Sequence, residues 1–201
     1  KVIQFLLAGN IAEILTLFVS TVFNWDAPLL AVHILWVNLA TATLPALALG
    51  VDPASKNIMK HPPVRTGTLF ERDLIGRVVL QGCFVAAMTT VAYWLGASQG
   101  GQAAGQTMAF SVLAFSQMLR ALNQRSNTEP IWVRAEGHNP WLVVSFLVSA
   151  LLMACILFLP SLQNAFRLTA LTAGQWLWVL FLSVCSILQM EAVKWYKRRR
   201  A

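Results

Sequence analysis

The stretch HILWVNLATATLPALALG, from His33 to Gly50, decides the fold, because it is long and apolar enough to cross a lipid bilayer. It nevertheless carries Asn38, Thr41 and Pro45 near its middle. Hydrocarbon offers no hydrogen bonds to an amide or a hydroxyl, so such groups are unfavourable there unless they face a partner or an ion. The stretch therefore predicts a membrane-spanning helix that contains a polar site.

The spacing within this span suggests what the polar groups do. Asn38 and Thr41 are three residues apart, so they lie on one face of a helix. Pro45 has no N–H for the Thr41 carbonyl, so we expect a kink that turns this oxygen toward the same face. Amide, hydroxyl and carbonyl oxygens are ligands for hard cations, and interrupted helices hold the substrate in many transporters. Two interpretations stay open here: a cation site, or a kinked helix whose polar groups bond neighbouring helices.

The composition extends this interpretation to the whole chain. The hydrophobic fraction is 57%, the charged fraction is 11%, and the mean hydropathy is +0.62, which argues against a soluble domain. We predict an all-α polytopic membrane protein with one transmembrane domain over residues 1–201 and six transmembrane helices. The predicted helices are 2–23, 29–49, 74–96, 105–122, 141–159 and 175–193, and the predicted cytoplasmic loops are 51–73 and 123–140.

The basic residues predict the orientation. Under this assignment fourteen of the fifteen Lys and Arg residues fall on one side of the membrane, and Arg167 alone falls on the other. Positive residues stay on the cytoplasmic side, so both termini are predicted to be cytoplasmic. This distribution explains the net charge of +7 without nucleic-acid binding. We expect an integral membrane protein of a bacterial plasma membrane, with the lipid bilayer as its surroundings.

Glu13 is the one acidic residue placed deep within a predicted span. A carboxylate at that depth costs about 2.5–3.5 kcal/mol on insertion scales, and such residues are candidate functional groups. Asn10 lies three residues earlier, on the same helix face. Because the turn Asn24–Pro28 is short, the first two helices should form an antiparallel hairpin. That hairpin would present both side chains at the depth of the polar groups of the second span.

Gln117 adds a polar group at depth in the fourth predicted span, which also contains Ser111 and Ser116 and is the least apolar. A ligand role and an interhelical hydrogen bond are both open for this amide. The predicted cation site consists of Asn10, Glu13, Asn38, Thr41 and Gln117.

Four motifs resemble the calcium-transporting P-type ATPases. They are N-x-x-E from Asn10, LWVNLxT from Leu35, LPAxALG from Leu44 and IMxxPP from Ile58. The resemblance implies that the chain forms the fifth to tenth transmembrane helices of an ATP-driven cation pump. Its partners would be the first four helices and the cytoplasmic domains, which use ATP and Mg²⁺. The phosphorylation motif DKTGT is absent from this chain, so no catalytic residue is assigned to it.

The resemblance also implies the ligands and the ion. Asn10, Glu13, Asn38 and Thr41 fall on ligand positions of the family, and Gln117 falls where the two-site pumps have a glutamate. The family's N-L-x-T-D-G motif is altered here, because Ala42 replaces its aspartate. With Glu13 as the remaining carboxylate, one Ca²⁺ is expected rather than two, and another or a monovalent cation stays open.

A six-helix secondary cation transporter or channel is the alternative. It predicts an internal repeat and an initiating methionine, and neither is evident in the sequence. A non-transporting membrane scaffold would leave the buried polar groups of the first two spans unexplained.

Overall fold

The computed structural model describes residues 1–52, 72–124 and 139–200. Within these ranges all regular structure is helical, and five helices are long and apolar enough to cross a membrane. This confirms the prediction of an all-α polytopic membrane protein. Most of both predicted cytoplasmic loops lies outside the described residues, and the cytoplasmic location of the termini stays a prediction.

The helices follow the predicted spans closely, with some differences at their ends. They are α1 (Val2–Val22), α2 (Ala31–Trp36), α3 (Thr43–Gly50), α4 (Arg72–Asn123), α5 (Pro140–Phe158), α6 (Pro160–Ala165) and α7 (Ala173–Arg200). A π-helical segment, Val37–Ala42, joins α2 to α3, so these three pieces together form the second span. Helix α7 continues beyond the predicted end at residue 193.

The predicted helices 74–96 and 105–122 leave residues 97–104 as a connection, and helix α4 corrects this. The chain is helical on both sides of Gly101, which alone leaves helical geometry, with φ of 80° and ψ of −179°. A straight helix of 52 residues would be roughly 78 Å long, well over twice the hydrocarbon thickness of about 30 Å. Instead the helix reverses at this glycine, because a residue without Cβ adopts positive φ without a steric clash.

The two arms of α4 are named here the first arm (residues 72–100) and the second arm (residues 102–123), and they pack against each other. A Cβ placed on Gly96 would lie 2.7 Å from Gly105 Cα, and one on Gly105 would lie 2.8 Å from the Tyr93 carbonyl oxygen. Small residues let membrane helices approach this closely. The arms therefore form an antiparallel hairpin and correspond to the third and fourth predicted spans.

The second arm is the centre of the bundle. Its buried apolar residues pack in clusters with residues of α1, the first arm, the second span, α5 and α7. Its fully buried apolar residues include Met108, Ala109, Phe110, Val112, Leu113 and Ala114. Outer helices instead present large apolar side chains outward, for example Ile14 on α1, Leu151 on α5 and Leu177 on α7. The polar residues of the second arm, which is the least apolar of the predicted spans, are thus surrounded by protein rather than by lipid.

The close approach of the two arms predicts that a methyl group added at Gly105 lowers stability, whereas one added at Gly76 does not. Gly105→Ala should lower stability by about 1–3 kcal/mol, because the new Cβ meets backbone that cannot move away cheaply. Gly76→Ala is the matched control in the same helix, since nothing lies within 4 Å of its added Cβ. It should leave stability unchanged or raise it by up to about 1 kcal/mol. Thermal unfolding of the detergent-solubilised protein measures both; equal effects would contradict the packed hairpin.

A candidate cation site between three spans

Three of the predicted site residues meet between α1, the π-helical segment and the second arm. Asn38 Nδ2 donates to Glu13 Oε2 at 2.8 Å, and Gln117 Nε2 lies 3.4 Å from Glu13 Oε1. Glu13 is 5% exposed and Gln117 is 1% exposed. Each oxygen of the buried carboxylate therefore faces an amide N–H from a different span. We name Glu13, Asn38 and Gln117 the carboxylate–amide cluster.

Thr41 lies in the same π-helical segment as Asn38 and is fully buried. Its hydroxyl donates to the Val37 carbonyl at 2.7 Å. The hydroxyl hydrogen is thereby committed to the backbone, while the oxygen lone pairs stay available as a ligand or acceptor. Asn10, in contrast, lies on the exposed surface of α1. The structure does not bury this amide together with the cluster, although it is only one helical turn from Glu13.

The helix is interrupted just before Pro45, where the sequence predicts a kink. The interruption takes the form of a π-helical turn in which the Thr43 N–H donates to the Asn38 carbonyl five residues earlier. The Thr43 hydroxyl donates to the same oxygen at 2.6 Å. Single π-helical turns within α-helices are frequent at functional sites. The expected exposure of the Thr41 carbonyl toward the site stays a prediction.

Gly9 is a site residue that the sequence analysis missed. A Cβ at this position would lie 3.0 Å from Gln117 Nε2. The glycine therefore leaves room on α1 for the Gln117 amide to reach Glu13, which lies one turn further along. Gly9 carries no chemical group, so its role follows only from which side chain packs over it.

A second polar contact joins α1 to both arms of α4 near the predicted cytoplasmic end. Gln81 Oε1 lies 3.4 Å from Gln4 Nε2 and 3.5 Å from Arg120 Nη2. Arg120 is almost fully buried and lies three residues beyond Gln117 on the second arm. These contacts help to fix the axial position of α1 relative to the second arm, and hence of Glu13 relative to Gln117.

The cluster has one carboxyl group and the amide oxygens of Asn38 and Gln117. Within residues 1–52, 72–124 and 139–200, no three His, Cys, Asp or Glu side chains come together as a metal-binding group. Gln117 Oε1 is buried and has no hydrogen-bond partner among the described residues. An unsatisfied amide oxygen beside a buried carboxylate is a suitable ligand for a hard cation.

Comparison with known proteins identifies a family and two relatives. The family described as "Cation transporting ATPase, C-terminus" matches residues 26–196. Calcium-transporting ATPase 1 of Bacillus cereus (strain ATCC 10987 / NRS 248) is 36% identical over 215 residues, which cover 98% of this chain and 24% of that protein. Calcium-transporting ATPase of Bacillus subtilis (strain 168) is 34% identical over 186 residues, covering 91% of this chain and 21% of that protein. The chain therefore spans less than a quarter of either relative's length.

Proposed function

Because this chain belongs to the family of cation-transporting ATPase C-terminal regions, we propose that it forms the membrane-embedded cation-translocation part of an ATP-driven P-type pump. The transported ion is Ca²⁺, as the names of the two relatives suggest. The remaining helices and the ATP-hydrolysing domains, with their Mg²⁺, belong to the rest of the pump. The pump resides in a bacterial plasma membrane.

The observation that carries this proposal is the buried Glu13 carboxylate held between Asn38 and Gln117. In the pump, Glu13 supplies the negative charge that compensates the cation in a low-dielectric environment. The two amides turn about their last torsion, so that a carbonyl oxygen replaces the N–H that faces the cluster. Thr41 adds its hydroxyl oxygen without losing its hydrogen bond to Val37.

Asn10 joins the site from the exposed surface of α1, one helical turn before Glu13. It lies on a surface of this chain that is exposed and that the first four helices of the pump would cover. Its amide would then contact a cation shared between those helices and the carboxylate–amide cluster. This assignment rests on the family resemblance and on the spacing from Glu13.

The interrupted second span provides a means of alternating access. α2 and α3 are separate helical pieces joined by the π-helical segment that carries Asn38 and Thr41. Phosphorylation elsewhere in the pump would shift one piece relative to the other and expose the site to one side of the membrane at a time. The free energy for that shift comes from ATP hydrolysis outside this chain.

The neutralisation of Glu13 provides the most direct test. Glu13→Gln should raise the half-saturating Ca²⁺ concentration at least about tenfold, because loss of about 1.4 kcal/mol in binding corresponds to that factor. Ca²⁺-dependent ATP hydrolysis by the intact protein in membrane vesicles measures it. Glu191→Gln is the matched control, since Glu191 pairs with Lys194 at 3.2 Å on α7, away from the cluster. Wild-type Ca²⁺ dependence in Glu13→Gln would exclude the proposed site.

The number of ions bound provides a second test. With Ala42 in place of the family's aspartate and Gln117 in place of its glutamate, the wild-type protein should bind one Ca²⁺ per polypeptide at saturation. Ala42→Asp should add a second charge to the buried π-helical segment and increase the Ca²⁺ affinity. Equilibrium binding of radioactive Ca²⁺ to purified intact protein measures both quantities. Two ions bound by the wild type would contradict the single-carboxylate interpretation.

A further inference from the structure

Ser149 on α5 is a fully buried serine whose hydroxyl leaves its own helix. Its Oγ donates to the carbonyl oxygen of Ala40, in the π-helical segment, at 2.9 Å. Ser145, one turn earlier on α5, donates instead to Leu142 of the same helix at 2.9 Å. Serines in membrane helices commonly bond their own backbone in the second way. The hydrogen bond from Ser149 to another span is less usual, and the sequence around Ala40 indicates why it forms.

Pro45 lies five residues after Ala40 and has no backbone N–H. The Thr43 N–H bonds the Asn38 carbonyl five residues earlier. In the same register the Ala40 carbonyl would accept from residue 45, which is a proline and has no N–H. A backbone carbonyl without a hydrogen-bond partner is strongly unfavourable in hydrocarbon. In this register Pro45 provides no backbone donor for the Ala40 carbonyl, and the Ser149 hydroxyl donates to that oxygen.

The position of Ala40 makes this contact relevant to the site. Ala40 lies between Asn38 and Thr41, and its side chain is buried. The Val37 and Asn38 carbonyls also accept hydroxyl hydrogen bonds, but from Thr41 and Thr43 of the same span. Of these three hydroxyls, that of Ser149 is the one that comes from another span. It holds the segment in place relative to the rest of the bundle.

We infer that Ser149 is a positioning residue for the proposed cation site. By holding the Ala40 carbonyl, it fixes the π-helical segment in the orientation that brings Asn38 to Glu13 at 2.8 Å. Ser149 affects ion binding indirectly, by orienting the π-helical segment, and it is not itself a ligand of the ion. This inference rests on the proposed function of that cluster.

The first test compares two serines of one helix in the intact protein. Ser149→Ala should raise the half-saturating Ca²⁺ concentration roughly three- to tenfold, comparable to the loss of one hydrogen bond. The maximal rate of Ca²⁺-dependent ATP hydrolysis should change much less. Ser145→Ala should leave the half-saturating concentration unchanged, because its hydroxyl bonds only its own helix. An unchanged half-saturating concentration in Ser149→Ala, with a Ca²⁺-dependent wild type, would overturn the inference.

The second test is a double-mutant cycle that needs no transport. Pro45→Ala restores an N–H near the Ala40 carbonyl, so Ser149→Ala should cost less thermal stability in that background than in the wild type. Equal losses in both backgrounds would show that the proline does not create the need for Ser149. A wild-type protein without any cation-dependent activity would instead overturn the proposed function, and the cycle would still decide whether Ser149 replaces the missing N–H.

Discussion

The structure depends on the requirement that every backbone polar group within a bilayer finds a partner inside the protein. An unbroken α-helix meets this requirement by itself, but such a helix offers no backbone oxygen and little space to an ion. The span Ala31–Gly50 is interrupted, and side-chain hydroxyls donate to carbonyl oxygens within the interruption. One of these hydroxyls, that of Thr41, also belongs to the proposed site, so the interruption and the site share a side chain.

The central position of the second arm explains why a polar helix can lie in this membrane domain. Gln117 and Arg120 would be costly on a helix that faces lipid, since neither could reach enough partners there. Enclosed by other helices, both instead contact polar groups from α1 or the first arm. Two glycines of the bundle matter because they have no side chain. Gly105 lets the two arms of α4 approach each other, and Gly9 leaves space for the Gln117 amide.

The sequence predicts those features that depend on local periodicity and on a short connection. Glu13 and Asn38 lie at similar distances along the chain from the short turn Asn24–Pro28, which predicts that they come close together. The hydrogen bond between their side chains confirms this. Residues 97–104 are rich in glycine, glutamine and alanine, a composition typical of a connection, so the sequence predicts a longer loop there. In the structure these residues are helical except at Gly101, where the chain reverses. The Ser149–Ala40 contact joins residues 109 positions apart, and no local pattern indicates which serine leaves its helix. The exposure of Asn10 depends likewise on which helices surround α1.

The two departures from the motif that the sequence resembles would differ in their physical effect on a cation bound at the proposed site. In the proposed site Gln117 keeps an oxygen where the resemblance places a glutamate and removes only the charge, so the coordination number can be preserved. Ala42 has no ligand atom where the resemblance places an aspartate, and its methyl group lies within the buried π-helical segment. A site with one carboxylate compensates a single positive charge fully and a divalent ion only in part. The amides, the threonine hydroxyl and the segment's carbonyls must then supply the rest through their dipoles. In the proposed site, the orientation of the π-helical segment would therefore matter more to ion binding than in a site with several carboxylates.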